Sequence, residues 1–360
     1  MEHQVRSTPS CLSPACTGKL RAGLTHLLST LMLIIFPVIL ASCGNPKVEL
    51  NLRKAAATGD VTTVQGLINS GVNINAQERL RNFRWGPVVQ QGPSALMLAA
   101  ESGHIEVVKL LLGKRSDVDA VGSMAKVEEM NWLGEPLPPI IDPYQRRTAL
   151  MLAAEKGHIE VARLLLDAGT TADKGVEWSQ SPLTLAVSNG RAEIVRLLLS
   201  HKVAANVGTV INVKGRHMAT VLEVAAMKGH TEIVKALVDN GANVNGRGEI
   251  GSEEGKTALI YAAENGHSEV VQVLVSKGAD VNVKSFLTLD RLFRLHEPCP
   301  RQTALMFAAA NGHIDAARLL ILAGASLDQK NLCEQTALDL AVESKQEKMV
   351  EFLKSAGALK

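Results

Sequence analysis

Five histidine–acid pairs recur along this chain of 360 residues: His104-Ile-Glu106, His158-Ile-Glu160, His230-Thr-Glu232, His267-Ser-Glu269 and His313-Ile-Asp315. Imidazole beside carboxylate is raw material for metal sites and for general acid–base pairs. Here the pairs recur because a longer word recurs around them, and each falls at a corner between two short helices. There the imidazole can hydrogen-bond backbone and the carboxylate faces a helix N-terminus. Packed helices lie roughly 8–10 Å apart, too far for histidines of neighbouring repeats to share a zinc at about 2.0–2.1 Å per bond, so no metal is expected. Gly246-Arg-Gly-Glu-Ile-Gly251 has the G-x-G-x-x-G letters but no strand before it and no long helix after it, which a dinucleotide site needs. Gly251-Ser-Glu-Glu-Gly-Lys-Thr257 approaches the phosphate-cradling loop. It is one residue short between its glycines, and Glu253 and Glu254 would repel phosphate. Both read as glycine-rich turns. His201, His217 and His296 stand outside the recurring word with no motif around them, and no Ser-His-Asp or Cys-His arrangement appears. The chain is therefore expected to bind no cofactor and to be no enzyme.

The elements that carry these residues follow from self-similarity, which decides the fold before any motif does. The segment 148–169, Thr148-Ala-Leu-Met-Leu-Ala-Ala154 through Gly157-His158 to Gly169, returns at 257–278 and 303–324. Equivalent start positions are Leu50, Ser94, Thr148, Ser181, Thr220, Thr257, Thr303 and Thr336, at spacings of 44, 54, 33, 39, 37, 46 and 33. A 33-residue unit with insertions of 11, 21, 6, 4 and 13 residues at one fixed place gives that series. Thr148 suits a helix N-cap, Leu150, Leu152, Ala153 and Ala154 give an apolar face, and Gly157 ends the helix. Glu160 opens a second helix whose stripe is Val161, Leu164, Leu165 and Leu166, closed by Gly169. Helices this short are marginal alone, so each pair must bury its face against neighbouring pairs.

Thr257-Ala-Leu-Ile260, Ala262-Ala263, Gly266-His267 and Gly278-Ala-Asp-Val-Asn282 resemble the words of the ankyrin repeat. The resemblance covers residues 50–360 and implies an all-α repeat solenoid of eight ankyrin-like helix-turn-helix repeats with extended hairpin insertions. The polar first and last repeats, with Arg53, Lys54 and Asp60 at one end and 337–352 at the other, suit caps that no neighbour covers. Hydrophobic content of 46% with aromatic content of only 3% agrees with a core of small and branched side chains.

Residues 1–42 do not share the pattern. Lys19 and Arg21 precede an apolar run, 27–41, that is short for a membrane span and suits a secretory leader. It ends in Leu40-Ala-Ser-Cys43, which resembles the bacterial lipobox, where the cysteine is lipidated and becomes the mature N-terminus. The expectation is a lipoprotein signal peptide at 1–42, a short tether at 43–49 and the repeat domain at 50–360, lipid-anchored in the bacterial envelope, with Gly44 favouring the outer membrane facing the periplasm. A leader containing Arg6, Lys19, Arg21 and Glu2 takes three basic and one acidic residue with it, leaving 35 of each from totals of 38 and 36. A balanced charge offers nothing to nucleic acid. Cys299 and Cys333, both in hairpin regions, are left in an oxidising compartment. A disulfide between them and two separate thiols are both open readings.

All the insertions extend hairpins between one repeat and the next. Phe83, Arg84 and Trp85 sit in the first finger, Trp132 and Tyr144 in the second, Phe286 and Phe293 in the last long one, and Trp178 in an uninserted hairpin. Aromatics and arginine anchor interfaces most often, and Arg79, Arg81, Arg146, Arg147, Arg291 and Arg294 accompany them. These rings either hold a partner or lie on the helices beneath and order the fingers. The functional expectation is a protein–protein binding module whose partner is held by the fingers and the concave face. The alternatives are an inhibitor or immunity protein that plugs a toxin or enzyme, and a structural envelope spacer.

Overall fold

In the computed structural model the described residues are 45–77, 79–82, 88–124, 146–173, 175, 181–212, 217–248, 255–286 and 301–358. Contacts divide the chain into residues 1–46 and a repeat unit, 47–360, whose first helix starts at the boundary between them. Sixteen helices among the described residues form eight successive pairs. The pairs are α1 Pro46–Thr58 with α2 Val61–Asn69, α3 Ala95–Ser102 with α4 Ile105–Leu112, α5 Ala149–Lys156 with α6 Ile159–Asp167, and α7 Pro182–Ser188 with α8 Ala192–Ser200. They continue as α9 Val221–Met227 with α10 Thr231–Asp239, α11 Ala258–Glu264 with α12 Ser268–Ser276, α13 Ala304–Ala310 with α14 Ile314–Leu322, and α15 Ala337–Glu343 with α16 Glu347–Ser355. From the second pair onward, first helices pack on first helices and second on second, which is the all-α repeat solenoid expected from the sequence.

Local chemistry sets each helix. The hydroxyl of Ser94, Thr148, Ser181, Thr220, Thr257, Thr303 or Thr336 accepts the backbone N–H three residues on, satisfying one orphan donor of the first turn. The expected faces are wider in one helix and shifted in the other. All of Ala149 to Ala154 are buried, because a neighbouring pair covers each flank of a first helix. In α6 the buried set is Val161, Ala162, Leu165 and Leu166, while Leu164 is only half-buried. The core residues are aliphatic; the largest fully buried side chains are leucine, isoleucine and methionine.

At the ends the pattern thins. Helix α16 buries only Met349 and Leu353, and Val342 on α15 is 54% exposed. At the other end Lys54 is exposed, but Arg53, expected on a solvated flank, is 8% exposed and belongs to the buried side of α1. Helix α1 begins at Pro46, so Pro46 to Glu49, read from the sequence as part of a short tether, form its first turn.

Candidate protein-interaction surface

The recurring histidines do their work between repeats. His104 Nε2 lies 3.0 Å from the Ala57 carbonyl, His158 3.0 Å from Glu101, His267 3.1 Å from Met227 and His313 3.0 Å from Glu264, each in the preceding pair. Each imidazole also covers the glycine that ends the preceding first helix. A Cβ on Gly103 would lie 2.5 Å from His158 Nδ1, and one on Gly266 2.5 Å from His313 Nδ1. Those glycines have φ of 77° and 72°, so conformation and close approach both require the missing side chain. Between the third and fourth pairs Arg191 takes the histidine's place, with Nε 3.4 Å from the Glu155 carbonyl.

A second link joins the turns that come after each second helix. Asn75 Oδ1 accepts from Asp117 N, Asp119 from Thr171 N, Asn206 from Asn243 N, Asn245 from Asp280 N and Asn282 from Ser326 N, all within 3.2 Å. Three of these asparagines also donate to the next pair's terminal glycine carbonyl, at Gly241, Gly278 and Gly324. The equivalent residues Asp173 and Ala204 are both described and share no such bond.

On this spine stand the roots of the fingers. Strand β1 Arg79–Asn82 pairs antiparallel with β2 Val88–Gln91, β3 Gly122–Ser123 with β4 Arg146–Arg147, and β5 Gly208–Asn212 with β6 His217–Thr220. A Lys284–Thr303 bridge and a 2.9 Å bond from Ser285 N to the Gln302 carbonyl start the last long insertion. Adjacent roots are joined. Gln77 Nε2 donates to the carbonyls of Gly92 and Val121, both at 3.0 Å, and a Cβ on Gly122 would strike the Gly92 oxygen at 2.4 Å. In two roots the residue before the helix-capping threonine fastens the root to the spine: Arg147 pairs with Glu155 at 3.4 Å, and Lys256, only 6% exposed, donates to both oxygens of Glu264 at 2.8 Å. The Lys256 ammonium also stands 4.3 Å from the centre of the Phe307 ring, a cation–π contact. Held so, Lys256 is committed to Glu264.

Glu223 makes the most unusual root contact. It is 1% exposed; one oxygen accepts from Thr220 N at 3.0 Å and the other from Gly248 N at 2.8 Å. Thus the end of β6 and the turn that opens the following insertion share one carboxyl group. Burial pushes its pKa up to about 7 against the opposing backbone hydrogen bonds. Equivalent positions hold Met97, Met151, Ile260 and Met306 in four pairs, Thr184 and Asp339 in two more and Arg53 in the first, so the signal that could have found it was a carboxylate in a mostly apolar register.

Of the residues proposed from sequence to hold a partner, Phe286 is described: it is 41% exposed, its ring packs on Gly255, and Arg247 stands 4.9 Å from the ring centre. Its ring thus rests on the root while part of its surface stays exposed. Phe83, Arg84, Trp85, Trp132, Tyr144, Trp178 and Phe293, together with Cys43 and Cys299, lie outside the described residues. Cys333 is disulfide-bonded. Among the described residues no three His, Cys, Asp or Glu side chains group as a metal site, and no helix is long and apolar enough to cross a membrane.

A ladder of helix pairs that presents a row of fastened hairpin roots defines a protein–protein interaction module. A sequence-family model described as "Ankyrin repeats (3 copies)" matches residues 52–175, 133–211, 207–285 and 288–360. The chain belongs to the ankyrin-repeat family, whose domains are generally non-catalytic binding modules. It is also similar to two rice (Oryza sativa subsp. japonica) proteins. The probable E3 ubiquitin-protein ligase XBOS33 is 30% identical over 197 residues, 54% of this chain and 32% of that protein. The probable E3 ubiquitin-protein ligase XBOS32 is 28% identical over 193 residues, 54% of this chain and 31% of that protein. The matched region thus spans about a third of those relatives' length, and the ligase activity in their names is said of them.

Proposed function

We propose that the chain is an envelope-anchored binding module, tethered through a lipidated Cys43, that holds one partner protein between its hairpin fingers and the face of the first helices. The observation that carries the reading is the rooting of the fingers: Gln77, Arg147, Lys256 and Glu223 fix their bases to the spine by named hydrogen bonds and ion pairs. Rigid presentation lowers the ordering cost of binding, and aromatic and arginine side chains supply the anchoring contacts. The anchoring half of the reading rests on the Leu40-Ala-Ser-Cys43 sequence and the apolar run before it.

The test is an affinity capture from detergent extracts of the envelope, comparing the tagged chain with a Trp85→Ala, Trp132→Ala variant of equal helical circular dichroism. One protein retained by the parent and lost from the variant is the expected result. Equal retention by both would remove the fingers from the binding site. In the same cells Cys43→Ser should shift the chain from the membrane pellet to the soluble fraction; an unchanged distribution would refute the lipid anchor.

A further inference from the structure

Where the roots of the fifth, sixth and seventh pairs meet, a recess of about 480 Å³ opens, within the range of roughly 300–1,000 Å³ usual for ligand pockets. Among the described residues its wall carries three cations, Arg247, Lys284 and Arg301, and no carboxylate. Each cation is positioned with donors to spare. Arg247 uses one N–H on the Lys284 carbonyl at 3.0 Å and stacks on Phe286; Lys284 Nζ uses one on the Lys330 carbonyl at 2.8 Å. Both acceptors are backbone oxygens; the Arg247 charge also acts on the buried Glu223 carboxyl, while among the described residues neither Lys284 nor Arg301 pairs with a carboxylate. Arg301 makes no hydrogen bond or ion pair with the described residues and is held at φ 63°, a left-handed conformation rare for a side chain of its size. The same wall holds Gln329, whose Oε1 is buried without a hydrogen-bond partner and so lacks a donor.

These groups ask for one kind of guest. Guanidinium and ammonium groups seek carboxylate or phosphate oxygens, and arginine matches them with paired N–H donors. The unpaired Gln329 oxygen asks for a hydrogen-bond donor as well, which the N–H groups of a peptide backbone supply on the same chain as several carboxylates. The exposed edge of Phe286 adds apolar surface for the methylenes of an acidic side chain. We infer that this recess is the docking site for an acidic, extended peptide segment of the partner, with aspartate or glutamate carboxylates on Arg247, Lys284 and Arg301 and a backbone N–H on Gln329. The inference rests on the binding-module reading and names the chemistry of part of the partner.

The probe is a fluorophore-labelled, N-acetylated and C-amidated penta-glutamate peptide, titrated against the full chain by fluorescence polarisation, with the penta-glutamine peptide as its neutral counterpart. Arg301→Asn removes a charge while keeping a residue that tolerates positive φ, and Lys284→Gln removes another. Lys54→Gln removes the same charge from the exposed opposite end. The expected result is saturable binding of the glutamate peptide alone, weakened about tenfold by each recess variant and unchanged by Lys54→Gln. Absence of binding, equal weakening by Lys54→Gln, or competition by inorganic phosphate at the peptide's own concentrations would each overturn the proposal. Partner capture through Trp85 and Trp132 can succeed whichever way this experiment falls, so a failure here sinks the acidic recess and leaves the module.

Discussion

Gly266→Ala destabilises the chain by about 2–4 kcal/mol, and His313→Ala adds little further loss once the glycine has been replaced. The left-handed conformation at φ 72° costs roughly 1–2 kcal/mol for any residue with a Cβ. The added methyl also meets His313 at 2.5 Å and must push the imidazole off the Glu264 carbonyl, which forfeits a hydrogen bond worth about 1 kcal/mol and leaves its packing void. His313→Ala alone should cost about 1–2 kcal/mol. In the double variant the methyl meets no ring, so the conformational term and the loss of His313 remain but the imidazole contacts are lost once rather than twice. Denaturant unfolding of the four proteins, followed by helical circular dichroism, should therefore give a coupling of at least 1 kcal/mol. Strict additivity would show that glycine and histidine do not interlock, and that the glycine is needed for its backbone alone.

The second large effect concerns pH. Glu223 has a folded pKa of about 7 against an ordinary 4.5, because it is removed from water. Between those values the native protein holds a proton that the unfolded chain has released. The stability this provides is complete below pH 4.5 and is lost as pH rises through 7. At about 1.36 kcal/mol per pKa unit the full excursion approaches 3 kcal/mol. Glu223→Met, the side chain found at the equivalent Met97, Met151 and Met306, removes the titration while leaving Thr220 N and Gly248 N unpaired, a cost that does not vary with pH. Relative to that variant, the wild-type unfolding free energy should fall by about 2–3 kcal/mol from pH 4.5 to 8. Other groups, such as His230 with its pKa lowered by burial, titrate alike in both proteins and cancel. Parallel stability curves would show that the two backbone donors, not burial, set the ionisation of Glu223.

Most of the fold was legible because the repeat states it several times. Threonine or serine at the helix start, glycine at its end and the alanine pairs between them act within a few residues, and all three recur in Thr148, Gly157 and Ala153-Ala154 as read. The histidines were legible in kind, as backbone partners, but not in address: nothing local says that His158 reaches across to Glu101. What remained hidden depends on which repeats become neighbours. Burial of Met151 and Ala149 comes from the flanking pairs, and Leu164 lost its place in the stripe to the smaller Ala162 because the second helices are covered less completely. The site was least legible. Arg247, Lys284 and Arg301 are 37 and 17 residues apart along the chain, and only stacking of two hairpin roots brings them to one wall. Aromatic composition pointed to Phe286 but not to its guanidinium and glycine supports.

The two families of links between repeats are not evenly distributed. Asx bonds join neighbouring turns at five of the six junctions where both partners are described, and histidine reaches back to a carbonyl at four. Between the third and fourth pairs the described residues show neither; a single long 3.4 Å contact from Arg191 stands in their place. In an array where each unit leans only on its neighbours, the weakest joint governs how the whole yields. Among the six junctions whose turns are both described, this one yields first when the molecule is pulled from its ends, separating a leading block of three pairs that carries the first two finger roots from the part that carries the acidic-peptide recess.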